Sequence, residues 1–311
     1  MRRTFFGSNK LAELLGHIAP LRSLDIGARG IPAATMLAMA WAVEAIGFEP
    51  DIEECIRLNG FYADPRNNPF WQTHFFPVAL GRDGKGRTLH LTKHRGASSL
   101  LRPQPETASA FQRADYVTTE RTITLDTVPL DRFLRDNGLG GAVHMKVDVE
   151  GLELEILQSA PDLLDSSLLA VDAEVSFMQT RDNQPYYGEI ETFLRGCQFI
   201  PLGFTELHCW RRLTRSRYPK KVKGPVPFSR GQIIHGNMLF MKKPEAIFAQ
   251  SSRQILAAAF ISMSYGYLDH ALFFLQNEAV QEELRNAGIN DPAAEIRKVS
   301  LTQYRRHRWE R

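Results

Sequence analysis

His144–Leu157 reads HMKVDVEGLELEIL, and its first half contains a conflict. The residues alternate as a β-strand does, with Met145, Val147 and Val149 on one side and Lys146, Asp148 and Glu150 on the other. A strand with one wet face alternates in this way, whereas a strand inside a parallel sheet is apolar throughout. Gly151 and a helical pattern, LELEIL, follow at once. The charged tips therefore stand at a strand-to-helix corner, where open α/β sheets bind their ligands.

The flanking sequence supports an interior strand. Upstream, SLDIGA (23–28) and VEAIGFEP read as strands, each followed by a helix: PAATMLAMAWA, opened by Pro32, and DIEECIRLN, capped by Asp51. THFFPVAL reads as a third strand, and the turn GRDGKG leads to a half-exposed arm, RTLHLTK. HRGASSLLRPQPETASAFQRAD has no clear period, as in a long functional loop. Downstream of the helix LDRFLRDNG and the opening stretch come LELEILQSA (helix), LLAVDAEVSF (strand), YGEIETFLRGC (helix), then strands in CQFIPLGFTEL and GNMLFMKK. Strands alternating with helices predict an α/β fold, a doubly wound, mainly parallel sheet with helices on both faces. The expected parts are an N-terminal helical segment (1–19), the sheet domain (20–244, with a basic insertion at 208–230) and a C-terminal helical extension (245–311).

LLAVDAEVSF repeats the alternation, with Val171, Ala173 and Val175 set against Asp172, Glu174 and Ser176. Two such strands side by side form a polar strip leading to the ligand end. Buried charge needs partners, and phase alone suggests Lys146 opposite Asp172. Asp148, Glu150 and Glu174, if convergent, also form a set of oxygen ligands suited to Mg²⁺. His144, at the far end of its strand, reads as an ordinary half-buried histidine. His90, His94, His208 and His235 have no motif around them.

The nucleoside end is read from DIGARG. Gly27 and Gly30 follow the first strand and allow a tight turn and close approach to a ligand. Glu49 closes the second strand, where an acid accepts hydrogen bonds from ribose hydroxyls. The Gly-x-Gly-x-x-Gly pattern of dinucleotide sites is incomplete, and Asp25 would repel a pyrophosphate. A cationic or zwitterionic nucleoside such as S-adenosylmethionine suits this turn better than NAD. A nicotinamide-dependent oxidoreductase and a non-catalytic nucleoside-binding scaffold are the competing readings.

KVDVEGLELEIL resembles the signature of FkbM-type S-adenosylmethionine-dependent methyltransferases, Lys-x-Asp-x-Glu-Gly-x-Glu, at Lys146, Asp148, Glu150, Gly151 and Glu153. TLDTVPLDRFL, GASSLL, DIGARG and GFEPD resemble the family's other segments, so the similarity covers about residues 20–200. Arg29, Gly30 and Ile31 depart from the Asn and Gly common in the cofactor turn, and Ser176 stands where the family often has histidine. The resemblance implies a Rossmann-like class I methyltransferase fold and methyl transfer, most simply to a hydroxyl of a sugar, glycan or other small metabolite. Asp25, Gly27, Ala28, Gly30, Glu49, Ala79 and Asp148 are then the expected cofactor contacts. Asp148 and Glu174 are the expected catalytic groups, and Ser98 and Ser99 the expected acceptor contacts.

WRRLTRSRYPKKVKGPVP carries Arg211, Arg212, Arg215, Arg217, Lys220, Lys221 and Lys223 without an acid. It suits an anionic acceptor or a solvated loop. A net charge of +3 over 311 residues and the lack of any reader motif argue against nucleic acid. Cys55, Cys197 and Cys209 are too scattered for a disulfide framework. No window reaches the ~20 apolar residues of a membrane span, and the basic N-terminus lacks a signal peptide's apolar stretch. The expected location is the cytoplasm. The C-terminal helices are expected to cover the sheet or to form a homodimer surface.

Overall fold

The computed structural model describes residues 5–213 and 230–309, with the side chains of 304–309 left out. Its strands are β1 (Leu21–Ile26), β2 (Val43–Phe48), β3 (Gln72–Phe76), β4 (Ala79–Leu80), β5 (Gly84–Thr92), β6 (Thr119–Val128), β7 (His144–Val147), β8 (Ala170–Ser176), β9 (Phe199–Trp210) and β10 (Gln232–Lys242). Seven form one sheet in the order β3-β2-β1-β7-β8-β10-β9. The pairs from β3 to β8 are parallel, and β10 runs antiparallel to both of its neighbours. The chain leaves β1 toward β2 and β3, then returns to β7 on the other side. The gap between β1 and β7 is thus the switch point at which such sheets bind ligands.

Alternation divides the apolar residues between two cores, one on each face. Ile46, Phe48, Met145, Val147, Val171, Ala173 and Val175 pack against Leu130, Leu134, Ile156, Leu157, Ile190 and Leu194 of the crossover helices. Leu21, Val43, Ala45, Leu239 and Met241 pack on the other side against the N-terminal helix Asn9–Ile18 and the helix Ser252–Ser264. Ser252–Ser264 has nine buried residues in a row, Ile255 to Met263. A helix apolar all round must lie in an interior, and this one lies over the sheet. Among the described residues no helix is long and apolar enough to cross a membrane.

Several elements differ from the sequence reading. THFFPVAL is not one strand: β3 stops at Phe76 before Pro77, and Ala79–Leu80 joins a second sheet, β4-β6-β5. Proline has no amide to continue a ladder. β6, absent from the sequence reading, is the centre of that second sheet, and β5 extends back through the turn to Gly84. The helix expected from Pro32 is a 3₁₀ helix, Ala34–Ala42, entered through Ala33 in the left-handed region (φ +47°). β10 starts at Gln232, four residues before the GNMLFMKK expected from sequence, so it includes His235.

Candidate active site

β7 does lie inside the sheet, and its charges form one polar layer with those of its neighbours. Register pairs Ser23 with His144, Asp25 with Lys146, Lys146 with Asp172, Asn237 with Glu174 and His235 with Ser176. Lys146 stands opposite Asp172, as its phase suggests, but its Nζ donates instead to Asp148 Oδ2 at 2.8 Å. Asp172 accepts from Thr205 Oγ1 (3.0 Å) and from the Tyr265 hydroxyl (3.2 Å). His144 is fully buried, held by Ser23 Oγ and the Tyr265 hydroxyl, each at 2.7 Å. Burial pushes its imidazole down to about 3, so it is a neutral structural residue.

The corner after β7 is built by backbone geometry. Asp148 N–H donates to Ile26 O (3.0 Å), stitching the corner to β1. Glu150 and Gly151 both have positive φ, +61° and +115°. Glu153 folds back so that its carboxylate accepts from the amides of Val149 (2.9 Å) and Gly151 (3.0 Å). Burial, followed by the nearby Glu174, raises this carboxyl to about 8. The left-handed turn breaks strand phase, so Glu150 meets Arg181 (2.6 Å) and the Tyr116 hydroxyl (3.1 Å). Across the gap, Gly27 has φ +86°, and a methyl group on it would lie 2.0 Å from the carbonyl oxygen of Asp148. Glycine is required there because the two strand ends touch.

Asp148, Glu150 and Glu174 converge, each with an oxygen within 4.8 Å of the others. These are the three oxygens expected for Mg²⁺, and protein groups already engage all three carboxylates. Lys146 holds Asp148, Arg181 holds Glu150, and His235 Nδ1 lies 2.6 Å from Glu174 Oε1. Burial alone would raise Asp148, but Lys146, aided by Asn237 and His235, brings it below the usual carboxylate range. Burial, then the Glu150 and Asp148 charges, raises Glu174 well above that range. Glu174 Oε2 and Asn237 Nδ2 are buried without a hydrogen-bond partner, and both belong to one cross-strand pair. Asn237 acts on the Asp148 carboxylate although its Nδ2 makes no hydrogen bond of normal geometry.

A cleft opens over the switch point. Gly27, Glu49, Ala79, Ser98, Ser99, Asp148 and Glu150 line it, so seven expected residues meet there. Phe48, Val78, Leu80, Leu89, Leu100 and Ile156 give it apolar walls. Glu49 is buried, and Arg29 grips it through two nitrogens, each at 3.0 Å. Burial raises the Glu49 carboxyl, and Arg29 works against that rise. Asp25, Ala28 and Gly30 stand behind the lining. Asp25 Oδ2 accepts from the Ala33 amide (3.2 Å) while its Oδ1 is buried without a partner. Ala28 packs on Cys55, Leu58, Tyr62 and Phe75, and the Gly30 carbonyl accepts from the Tyr62 hydroxyl (3.0 Å). Ser99 Oγ donates to Glu150 O (2.8 Å), and Ser98 Oγ accepts from the Thr92 amide (3.2 Å). Both hydroxyls thus fasten the long loop to its surroundings. A buried acid at the second strand's end, a glycine bend and an apolar wall fit an adenosyl group, and the ionised Asp148 fits a sulfonium.

The model of the methyltransferase FkbM domain matches residues 25–201. The chain belongs to the FkbM methyltransferase family. It is a methyltransferase, and the family uses S-adenosylmethionine. Searches of curated proteins and of solved structures return no match.

The site of this FkbM-family chain also includes residues that sequence reasoning missed, two of them beyond the matched domain. Arg181, Tyr116, His235 and Asn237 reach the carboxylates from a turn, a short helix and an antiparallel strand. His235 stands directly across from Ser176, the place where the family often has histidine in its own strand. The one available signal was the β-rich run before Gly236, QIIH, which extends that strand to include it. Beyond the carboxylates lies an outer cavity lined by Arg113, Tyr116, His208, Trp210, Arg211 and His235. Arg211 therefore faces a cavity, whereas the Arg212 guanidinium lies 4.7 Å over the Phe111 ring. Arg215, Arg217, Lys220, Lys221 and Lys223 of the basic stretch lie outside the described residues.

Proposed function

We propose that this methyltransferase acts on a hydroxyl group of a sugar, glycan or other small metabolite, with S-adenosylmethionine in the switch-point cleft. The adjacency of its cavities supports the reading. Glu150 lines both the cleft and a small inner cavity, while Tyr116, Trp210 and His235 line both the inner and the outer cavities. On this reading an acceptor in the outer cavity approaches the cofactor across the carboxylate corner. Aromatic faces beside cationic groups suit a polyhydroxylated, anionic molecule such as a nucleotide-linked sugar.

When bound, the cofactor supplies an electrophilic methyl group on a cationic sulfur. Glu49 would accept from the ribose hydroxyls, the Gly27 turn would admit the chain of the cofactor, and Asp148, held ionised by Lys146, would stabilise the sulfonium. Asp148 and Glu174 orient the acceptor hydroxyl for attack from behind the methyl carbon. Alignment of this kind contributes about 7–11 kcal/mol in the most favourable intramolecular cases. Lys146 and Arg181 balance the carboxylate charge in the place where a divalent ion would otherwise do so.

Calorimetry with S-adenosylhomocysteine and with NAD tests the cofactor, and labelled methyl transfer into nucleotide sugars and glycans, with Mg²⁺ or a chelator, tests the reaction. The expected outcome is adenosylhomocysteine binding, transfer to at least one hydroxylated acceptor, and a rate indifferent to chelator. Asp148→Asn should retain cofactor binding and lose turnover. Tight binding of NAD alone would replace this reading with the oxidoreductase one.

A further inference from the structure

We infer that His235 is the catalytic base, held in position by Glu174, and that it receives the proton of the acceptor hydroxyl. The inference rests on the methyl-transfer reading and adds to it the destination of the proton. His235 lines both the inner and outer cavities and touches the carboxylate cluster through Glu174, whose oxygens lie within 4.8 Å of those of Asp148 and Glu150. Its Nδ1 is committed to Glu174 Oε1 at 2.6 Å, which leaves Nε2 as the nitrogen that can accept. Orientation is set on the remaining sides by His208, whose ring stacks at 4.5 Å, and by Trp210, edge-on at 6.3 Å. A base whose second nitrogen is fixed by a carboxylate presents one defined tautomer to its substrate. Asp148 cannot fill this role as readily, because Lys146 holds its carboxyl below the usual range, and Glu150 is already committed to Arg181 and the Tyr116 hydroxyl.

The step balances without a further reactant. The acceptor oxygen forms its bond to the methyl carbon as the carbon–sulfur bond breaks, and the sulfur keeps that electron pair and becomes neutral. The hydroxyl proton passes to Nε2 of His235, while the proton on Nδ1 stays shared with Glu174. Burial lowers His235, against the pull of Glu150, Asp148 and Glu206. Burial and the neighbouring carboxylates raise Glu174. Arg181, Lys146, Glu153, Tyr116 and His208 are further charged or titratable groups around them.

The decisive measurement requires no acceptor. In the full chain saturated with adenosylhomocysteine, histidine-selective ¹⁵N labelling reads the state of the His235 ring at pH 8, with His235→Asn for assignment. The expected result is a neutral ring with its proton on Nδ1. A charged ring at pH 8, or a proton on Nε2, would overturn the inference. Failure of adenosylhomocysteine to bind would instead count against the methyl-transfer reading, and the ring could still be read in the free protein. With nucleotide sugars as acceptors, His235→Asn should keep its affinity for adenosylhomocysteine and lose about 10²–10⁴-fold in turnover. Glu174→Gln should move the acid limb of the turnover profile to lower pH, which a purely structural role would not do. Full turnover in His235→Asn would also overturn the assignment.

Discussion

The contact between Gly27 and Asp148 allows a sharp test of how the site is assembled. In Gly27→Ala the new methyl carbon would sit 2.0 Å from the Asp148 carbonyl oxygen, and ordinary contact begins near 3.4 Å, so the strand ends must part by 3.4 − 2.0 = 1.4 Å. That movement breaks the Asp148 amide bond to Ile26 O (3.0 Å), a loss of about 1 kcal/mol. The left-handed backbone adds roughly 1–2 kcal/mol for a residue with a Cβ. Gly30→Ala is the control: Gly30 also has positive φ, +140°, but nothing lies within 4 Å of its Cβ position. Urea unfolding should find Gly27→Ala less stable than Gly30→Ala by about 1 kcal/mol or more, the share of the contact. Adenosylhomocysteine affinity should fall at least about tenfold in Gly27→Ala, and turnover by about 10²-fold, the usual consequence of a 1 Å misplacement. If the two variants match in stability and affinity, the turn is required only for its backbone conformation, and the reasoning about close approach is wrong.

Two further outcomes follow from the same geometry. Glu49→Gln should weaken adenosylhomocysteine binding about 10–100-fold by calorimetry, because charged hydrogen bonds are worth roughly 1.5–3 kcal/mol and Arg29 keeps only the longer contact to Asp51 (3.8 Å). His144 makes the fold acid-sensitive in a defined window: its imidazole lies at about 3 in the fold against 6.5 when free. Above pH 6.5 the group is neutral in both states. Below it the unfolded chain takes up a proton that the fold refuses, so stability falls between about pH 6.5 and 3, by up to about 5 kcal/mol. Urea midpoints at pH 7.5, 5.5 and 4.5 should show a smaller slope in His144→Gln than in the parent.

Much of this protein was legible along the chain. Period-2 apolar runs, helices with Pro or Asp at their starts, and the Gly-rich turn specify the α/β class, because such signals are local. The same holds for Gly27, Glu49 and Asp148, whose places at strand ends follow from strand order alone. They line one cleft. KVDVEGLE locates the corner, and its Glu153 proves to be a backbone clasp.

What lay beyond sequence came from register and from chain reversal. Glu150 continues the strand's phase on paper, yet a left-handed turn redirects it to Arg181, a partner 31 residues away in a segment without a motif. His235 enters the site because β10 runs antiparallel to β8, a direction that no local pattern encodes. The apolar helix Ser252–Ser264 reads as core, but only packing shows that the chain just beyond it sets Tyr265 over Asp172 and His144. Hydrophobic period and turn chemistry act between neighbours in the chain, so sequence determines which elements form and which ends carry charge. The partners of those charges are set by long-range burial, since each needs a counter-group wherever the folded chain brings one within reach.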